Sequence, residues 1–262
     1  MPAPNPTLES WIEALEARHL KTLQFAEVRR AIQALSKRYL FDRRDQGAIR
    51  AFDGAGKRAA FALYFAPLHA LTVRDIVAEL KPRKGRPLVD LGCGSGAGAI
   101  GWTFAQPTPS PVLGVERNGW ACDEARWNLR QLRIKGEVRR GDLTDAPWGD
   151  EPSTILLGWA VNELPRAAQD RLLKRIERAL FDGSELLIVE PISRRMTPWW
   201  EPWRKRLERF NVRDDDWRFR SELPQRIADF DRAAGLDHRE RTARTLYVSA
   251  SWQRERRRPA QK

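Results

Sequence analysis

Residues 88–96 constrain the fold more than any other part of this chain. Leu88-Val-Asp-Leu91 is a short apolar run typical of a buried strand, and Gly92, Gly94 and Gly96 follow it at alternate positions. Glycine has no Cβ, so it lets the backbone turn sharply and approach a ligand closely. A strand, a glycine loop and then a helix predict a ligand-binding turn at the edge of a parallel sheet.

The pattern after this loop predicts an α/β fold. Short apolar segments alternate with segments of helical period, which specifies a doubly wound, mostly parallel sheet, here expected to have seven strands and a Rossmann-like arrangement. Five strands are expected at 88–91, 111–116, 137–140, 154–160 and 185–190. Residues 236–243 and 245–252 are expected to pair as a terminal hairpin.

The chain is expected to divide into an accessory segment and one main domain. Apolar residues at spacings of three and four predict an N-terminal helical segment over residues 1–80, interrupted near Pro67. A basic connector punctuated by proline and glycine marks the boundary. The remaining predicted units are the connector at 81–87, the main domain at 88–252, a basic and aromatic substrate-side insertion within it at 191–222, and a basic tail at 253–262.

One acidic residue decides which ligand the glycine loop favours. The run from Gly94 to Ala99 also fits the dinucleotide-binding pattern. Asp90, however, lies two residues before the first glycine, at the end of the strand. A carboxylate there repels a pyrophosphate but attracts the ammonium and sulfonium groups of S-adenosylmethionine. The sequence therefore favours S-adenosylmethionine over a dinucleotide.

Two further acids are predicted at the ends of neighbouring strands. Glu116 ends the second strand, where it can accept hydrogen bonds from ribose hydroxyls, and Asp142 follows the third, where it can accept from an adenine amino group. Each acid alone is equally consistent with a solvated loop residue. Ligands of open parallel sheets bind at these strand ends, so the three acids together favour one cofactor site.

These motifs resemble those of the class I methyltransferases, over roughly residues 70 to 252. The resemblance lies in Val-Asp-Leu-Gly-Cys-Gly-Ser-Gly96, Gly-Val-Glu116 and Gly-Asp-Leu143. It implies a methyltransferase that uses S-adenosylmethionine. The cofactor-binding residues expected on this basis and from the adjoining loops are Asp90, Gly92, Cys93, Gly94, Gly96, Glu116, Arg117, Asp142, Leu143 and Trp159.

The segment after the fourth strand, from Gly158 to Pro165, is expected beside the transferred methyl group. Trp159 is placed to stack on adenine or on a substrate base, and Asn162 and Glu163 are candidate catalytic residues that orient or deprotonate a nucleophile. The alternative is structural: Asn162 caps the next helix and Glu163 favours its N-terminal dipole. The tetrapeptide lacks the Asn-Pro-Pro-aromatic motif of methyltransferases acting on exocyclic amines and glutamine amides, which disfavours that group.

Four short motifs resemble the methyltransferase-like assembly factors of the small ribosomal subunit. They are Asn162-Glu-Leu164, Ile188-Val-Glu-Pro191, Leu35-Ser-x-x-Tyr39 and the helix from Arg58 to Pro67. Mitochondrial members of that group carry a four-cysteine iron–sulfur site. This chain has two cysteines, Cys93 and Cys122, so such a cluster is excluded and no cysteine-based metal site is expected.

The net charge of +12 is unevenly distributed. Residues 1–87 carry +7, residues 88–190 carry −3 and residues 191–262 carry +8. A phosphate-rich partner such as RNA explains basic flanks of this kind, although a genome that favours arginine is an alternative. The residues expected to bind RNA phosphates and unpaired bases are Arg194, Arg195, Trp199, Trp200, Trp203 and Arg204. The alternative for this segment is an amphipathic helix whose tryptophans pack on the core.

The sequence thus predicts an S-adenosylmethionine-dependent methyltransferase that acts on RNA, either ribosomal RNA or the small ribosomal subunit. Two alternatives remain open: a non-catalytic, cofactor-binding assembly factor, and a methyltransferase for small molecules or proteins. No apolar run reaches the ~18 residues of a membrane helix. With few cysteines and no signal pattern, a cytoplasmic setting without membrane or metal is expected, and the oligomeric state is open.

Overall fold

A seven-stranded sheet forms the centre of the structure, a computed structural model that describes residues 6–41, 52–106, 108, 110–149 and 151–252. The strand order is β3-β2-β1-β4-β5-β7-β6, and only β7 runs antiparallel to its neighbours. The predicted doubly wound, mostly parallel sheet is confirmed. The predicted tail at 253–262 lies outside the described residues. The strands are β1 Leu88–Leu91, β2 Val112–Glu116, β3 Gly136–Arg140, β4 Thr154–Gly158, β5 Glu185–Glu190, β6 Arg213–Arg220 and β7 Glu240–Val248.

Helices cover both faces of the sheet. The third to fifth helices pack on one face, and the sixth and seventh pack on the other. The first, second and eighth helices lie outside the first of these layers and share an apolar cluster with it. The helices are α1 Leu8–His19, α2 Phe25–Phe41, α3 Ala55–Leu80, α4 Ala97–Ala105, α5 Gly119–Gln131, α6 Arg166–Phe181, α7 Trp200–Leu207 and α8 Gln225–Ala234.

The predicted terminal hairpin is wrong. Glu240–Val248 is a single strand, and it lies between β5 and β6: Arg244 pairs with Glu190 on one side and with Asp216 on the other. The partner strand β6 therefore comes from residues that the sequence places within the substrate-side insertion. It is an edge strand whose charged side chains face solvent, and its run of three aspartates hides the strand pattern.

The helix α3 contains a π-helical turn at Phe61–Phe65, all five residues of which are buried. Within this wide turn the N–H of Ala66 donates to the carbonyl of Phe61. Pro67 has no N–H, yet it does not end the helix, because it falls just after the wide turn where the ordinary bonding pattern has already been displaced. By length and composition α3 is apolar enough to cross a membrane, but 83% of its most apolar window is buried within the fold, as in a core helix.

Close packing of α3 on α4 places the glycine loop. A Cβ on Gly101 of α4 would lie 2.2 Å from the carbonyl oxygen of Ala70 in α3, a contact that no other residue type permits. The two helix backbones therefore touch, and the start of α4 is held against the sheet. The accessory segment and the main domain thus share one packed interior.

Candidate active site

Asp90 lies beneath the glycine loop at the carboxyl end of β1. It is 2% exposed, and one of its oxygens accepts a hydrogen bond from the N–H of Ala99 in the first turn of α4, at 3.0 Å. Burial, supported by the charge of Glu116, raises the pKa of the Asp90 carboxyl to about 7. Such a carboxylate acts on a bound cation mainly through its electric field, because little of it is open to direct contact.

Glu116 connects the end of β2 to the glycine loop. One carboxylate oxygen accepts the N–H of Gly94 at 3.1 Å, and the other accepts the N–H of Asn118 at 2.7 Å. Each carboxylate oxygen has a second acceptor site. The half-buried Glu116 can therefore keep both backbone contacts and still accept hydrogen bonds from a ribose diol.

The glycine loop is open on one side at the sheet edge. Gly92, Gly94 and Gly96 have φ values of 74°, 52° and 85°, in the left-handed region that favours glycine. A Cβ on Gly92 would lie 2.8 Å from the Cβ of Ala160, whereas a Cβ on Gly94 would meet no atom within 4 Å. The loop is thus closed on the β4 side and open beside Gly94. This arrangement fits a nucleoside cofactor whose ribose lies at Glu116.

Asp142 follows β3 and is exposed to solvent. Its Oδ1 accepts hydrogen bonds from the N–H of Thr144 at 2.7 Å and from the Thr144 hydroxyl at 2.6 Å. These bonds, together with the positive charges of Arg117 and Arg171, hold the pKa of the carboxyl below its usual value, so it is ionised at neutral pH. An ionised acceptor suits the adenine amino group that the sequence predicts there.

The remaining loop residues line the same strand ends. The N–H of Gly141 donates to the carbonyl of Glu116 at 3.0 Å, which joins the β3 loop to β2. Leu143 packs over the glycine loop, 3.2 Å from where a Cβ on Gly92 would stand, and Arg117 is exposed beside it on the β2 loop. The structure therefore brings together the predicted residues of three separate loops.

Cys93 is buried against β2 within the loop. Its Sγ would lie 2.9 Å from a Cβ on Gly114, so the thiol fills the space that this glycine leaves. Burial, followed by the charges of Asp90 and Glu116, raises the pKa of the Cys93 thiol well above its usual value. The thiol stays protonated at neutral pH and is therefore a packing group and not a nucleophile.

Trp159 begins the loop after β4 and has a left-handed backbone, with φ at 55°. An aromatic residue in this region is strained, and such strain is common near functional sites. Its indole stacks on the imidazole of His69 in α3, with ring centroids 3.8 Å apart and planes 12° from parallel. Sequence reasoning missed His69, because nothing local indicates that α3 reaches the end of β4.

Further aromatic contacts extend from His69 along the edge of the sheet. Phe61 lies 6.2 Å from His69, Phe52 lies 4.9 Å from Phe61, and Trp120 at the start of α5 lies 5.0 Å from Phe52, all between ring centroids. This aromatic wall runs from the loop after β4 to the loop after β2. The accessory segment therefore borders the same edge of the sheet as the three acids.

Asn162 holds the loop after β4 to two other elements. Its amide nitrogen donates to Glu190 at the end of β5, at 2.8 Å, and its carbonyl accepts the indole N–H of Trp199 at 2.6 Å. It does not cap α6, whose N-cap is Pro165 without a side-chain hydrogen bond. With both ends of its amide engaged, Asn162 has the geometry of a positioning residue. Glu163 is exposed in the adjoining 3-10 turn, Val161–Glu163.

Glu190 is named from the sequence only within the motif Ile188–Pro191 and is given no role in the site, although a pattern indicates one. It ends β5 as Asp90 ends β1 and Glu116 ends β2, and it is fully buried. Carboxylates at the ends of three parallel strands meet at one edge of a sheet. That rule, applied to the fifth strand as well, would have predicted Glu190 beside Asn162.

The expectation that the tryptophans of the basic segment stack on RNA bases is not met. Trp199, Trp200 and Trp203 are 6%, 2% and 2% exposed and pack beneath α7 against the sheet. The guanidinium of Arg244 covers the Trp200 ring at 4.0 Å. An indole face in the core forms more dispersion contacts than one in solvent, so these rings turn inwards.

The predicted cations of this segment lie at the surface. Arg204 pairs with Glu201 and Glu208 along the outer side of α7. Arg194 and Arg195 are exposed in a 3-10 turn after β5. Within the part of the chain that the structure describes, no group of three His, Cys, Asp or Glu side chains could hold a metal ion.

Comparison with known proteins agrees with this fold. Residues 67–188 match a family model described as a precorrin methyltransferase domain. No curated protein sequence matches the chain. Among solved structures, precorrin 8W decarboxylase from Methanobacterium thermoautotrophicum is 19% identical, with a TM-score of 0.50, over 68% of this chain and 90% of that one.

Two further solved structures are similar at lower scores. An S-adenosylmethionine-dependent methyltransferase from Aquifex aeolicus is 15% identical, with a TM-score of 0.49, over 70% of this chain and 92% of that one. Precorrin-6y C5,15-methyltransferase from Geobacter metallireducens is 13% identical, with a TM-score of 0.45, over 68% and 87%. The chain spans most of each of these proteins, and the accessory helices α1 and α2 lie outside the 67–188 match.

Proposed function

We propose that this chain is a class I methyltransferase dependent on S-adenosylmethionine and that RNA is its methyl acceptor. The charge distribution is the observation that carries the proposal. The flanks at 1–87 and 191–262 carry +7 and +8, while the segment with the cofactor loops carries −3. A uniform preference for arginine does not produce an acidic middle segment, whereas a polyphosphate partner requires cations on the surfaces around the site.

The cofactor loops suit a cationic donor next to that basic surface. S-adenosylmethionine supplies a methyl group on a sulfonium, so the protein needs chiefly to align an acceptor and, where required, remove a proton. In this proposal Glu116 binds the ribose and Asp142 binds the adenine, and the field of Asp90 favours the positive end of the cofactor. The negative cofactor site and the basic flanks thus have separate ligands.

Ribosomal RNA, free or within the small ribosomal subunit, is the proposed source of the acceptor. The Asn162-Glu-Leu164 and Glu190-Pro191 motifs support this choice through their resemblance to small-subunit assembly factors. Asn162 and Glu190 are hydrogen-bonded to each other beside the methyl-transfer position, so the two motifs act as one structural unit.

A tetrapyrrole acceptor is the second candidate. The match of residues 67–188 to a precorrin methyltransferase domain favours it. A precorrin is a small molecule that contacts only the surroundings of the site, so it leaves most of the positive charge of both flanks without a specific role. The remaining alternatives, a non-catalytic assembly factor and a methyltransferase for other small molecules or proteins, predict different fates for the methyl group.

Methyl transfer from isotope-labelled S-adenosylmethionine distinguishes these candidates. The protein is incubated with ribosomal RNA, with immature small subunits, with total protein and with a precorrin, and each fraction is counted for label. We expect label in the RNA fraction. Label in the precorrin alone supports the second candidate, and salt-sensitive RNA binding without label supports an assembly factor.

Glu116→Ala provides the control for specificity of this reaction. It removes the acceptor of two backbone N–H groups and of the ribose diol, so transfer is expected to fall by about 100-fold or more, from the loss of charge-assisted hydrogen bonds each contributing about 1.5–3 kcal/mol. Glu151→Ala removes an exposed carboxylate away from the loop and should leave the rate unchanged. Equal rates for the two variants would contradict the assigned cofactor site.

A further inference from the structure

We propose that the RNA is held by the outer side of α6 and α7, an inference that rests on the proposed function and gives it a binding surface. This α6–α7 surface is defined by six side chains: Arg171, Lys174, Arg178 and Phe181 of α6, and Arg206 and Arg209 of α7 and the 3-10 turn that follows it. Arg206 and Arg209 belong to the basic flank at 191–262, and the three cations of α6 extend that basic surface onto the segment 88–190. It combines exposed cations, a pair of fixed guanidinium groups and an exposed aromatic ring, which together suit a single-stranded RNA backbone and an unpaired base.

The cations of α6 lie along one side of the helix. Arg171, Lys174 and Arg178 are spaced by three and four residues, which places them on one face, and all three are exposed. The opposite face, with Leu172 and Ile176, is buried against the sheet. Within the described residues, these three cations have no ion-pair partner. Their charge is therefore available to an external anion.

A buried carboxylate fixes two more cations at the junction of the helices. Glu177 is 6% exposed. It accepts hydrogen bonds from two nitrogens of Arg206 and forms an ion pair with Arg209, whose nitrogen lies 2.7 Å from a carboxylate oxygen. Each guanidinium has five donors, so both keep donors for another partner while their side chains remain exposed. Guanidinium groups held in place in this way lose little freedom when they bind a phosphate.

Phe181 supplies the aromatic part of the surface. At 49% exposure it is the one large apolar side chain that is exposed among the described residues. The centroid of its ring lies 4.9 Å from that of Phe210 and 6.0 Å from that of Trp252. The guanidinium of Arg209 lies 5.2 Å from the centroid of the Phe181 ring. A supported, half-open ring beside arginines is the arrangement on which an unpaired base stacks.

The course of α6 connects this surface to the methyl-transfer edge. The helix begins after the Val161–Glu163 turn at the carboxyl end of β4, and its sixteen residues span roughly 24 Å. Arg171 is close enough to Asp142 for its charge to lower the pKa of that carboxyl. An RNA strand that follows α6 therefore leads from Phe181 to the edge where the cofactor loops lie.

The test measures binding of a fluorescein-labelled single strand of twenty uridines at several salt concentrations. In the double variant K174E/R178E we expect the affinity to fall about tenfold or more and the slope of log K against log salt to decrease by about 1.4, since each phosphate contact on a single strand contributes about 0.7. F181A is expected to weaken binding about fivefold or more with an unchanged slope, because stacking releases no counterions.

The matched control has the same change of charge on the other face of the sheet. R130E/K135E replaces two exposed cations at and after the end of α5 and should weaken binding less than threefold. Thermal unfolding and affinity for S-adenosylmethionine, measured on every variant, show that the fold is retained. If K174E/R178E does not fold, the neutral variant K174Q/R178Q is expected to show the same decrease in slope.

The outcomes separate this inference from the proposed function. Equal losses in the two charge-reversed variants, with wild-type protein still placing label in RNA, would overturn the α6–α7 surface and leave the RNA acceptor intact. Wild-type protein that neither binds nor labels RNA would overturn both. Binding of an acidic polypeptide in preference to the uridine strand would also overturn the surface as an RNA site.

Discussion

Asp90 is a carboxylate held where the fold has almost no room for water. Burial makes its charged form unfavourable, which is why its pKa rises to about 7. In the folded protein this acid binds a proton more tightly than in the unfolded chain, so stability falls as pH rises from about 4 to about 7. The pKa of Asp90 is about three units higher in the folded protein than in the unfolded chain, which lowers the free energy of unfolding by up to about 4 kcal/mol above pH 7. We expect a bound cation to offset this cost, so that the residue favours ligand binding at the expense of stability.

Asp90→Asn should therefore stabilise the free protein at pH 8 while removing its affinity for S-adenosylmethionine. The asparagine oxygen can still accept the Ala99 N–H, so the buried hydrogen bond is kept while the charge is lost. Urea unfolding at several pH values between 4 and 8 checks the first effect. The difference in unfolding free energy between the variant and the wild type is expected to increase with pH up to about 7. Calorimetry with the cofactor checks the second.

The affinity of the wild-type protein for the cofactor should depend on the protonation state of Asp90. Below about pH 7 Asp90 takes up a proton, so the affinity is expected to fall as pH decreases, and this dependence should be absent from Asp90→Asn. A variant that is less stable than wild type at pH 8, or that keeps full affinity, would show that the buried charge does not act on the ligand.

For Asn162 we predict an effect on stability, because its side-chain amide is hydrogen-bonded to both Glu190 and Trp199. Asn162→Ala leaves Trp199 and Glu190 without their amide partner, and we expect a loss of about 1–3 kcal/mol of stability. Trp199→Phe removes one of the same hydrogen bonds, so the double variant should lose less than the sum of the single variants. A purely catalytic Asn162 would instead lower kcat with unchanged stability and an additive cycle.

At the scale of elements, α1 is connected to the glycine loop through side chains of α5. The indole N–H of Trp11 donates to the side-chain Oδ1 of Asn128 at 2.7 Å, and the side-chain Nδ2 of Asn128 donates to the backbone carbonyl of Ser95 within the loop at 2.9 Å. The fully buried Glu124 of α5 also bonds Arg18 and His19 of α1. The accessory helix thus helps to fix the shape of the loop.

Trp11→Phe should weaken cofactor binding through this connection, although Trp11 is not part of the site. Loss of one hydrogen bond to the positioning residue Asn128 is worth about 1 kcal/mol, so we expect roughly a fivefold increase in Kd for S-adenosylmethionine. Trp127→Phe is the matched control, since Trp127 lies beside Asn128 on α5 and its ring contacts Arg18 of α1. Equal Kd values for the two variants would mean that α1 only supports the fold.

Some elements follow from local pattern and others do not. The strands β1, β2, β4 and β5 are apolar runs buried on both faces, so their hydrophobicity alone predicts them. The edge strand β6 needs polar side chains towards solvent, and its charge conceals it. The helix α7, with its tryptophans packed on the core, corresponds to the alternative given for its segment and not to the favoured expectation, because which side faces inwards depends on packing against β5 and β7.

For the molecule as a whole, the sequence predicts the acids of the site because topology brings them together. Parallel strands end at one edge, so Asp90, Glu116 and Asp142 meet there whatever lies between them. The stack of His69 on Trp159, and the bond from Asn128 to Ser95, join segments that are distant in sequence. Such contacts depend on the angle at which the helices cross the sheet, which no local pattern encodes.

The π-helical turn at Phe61–Phe65 adds one residue to α3 without adding a full turn. Everything before it is therefore rotated by about 100° relative to an uninterrupted helix, and this rotation sets which side chains meet α2 and which meet α4. Removing a single residue from the turn would restore ordinary winding and swing residues 55–60 out of phase with the rest. A length change of one residue at this turn would therefore change the direction of the first six residues of the longest helix and, with them, the aromatic wall that includes Phe52 and Phe61.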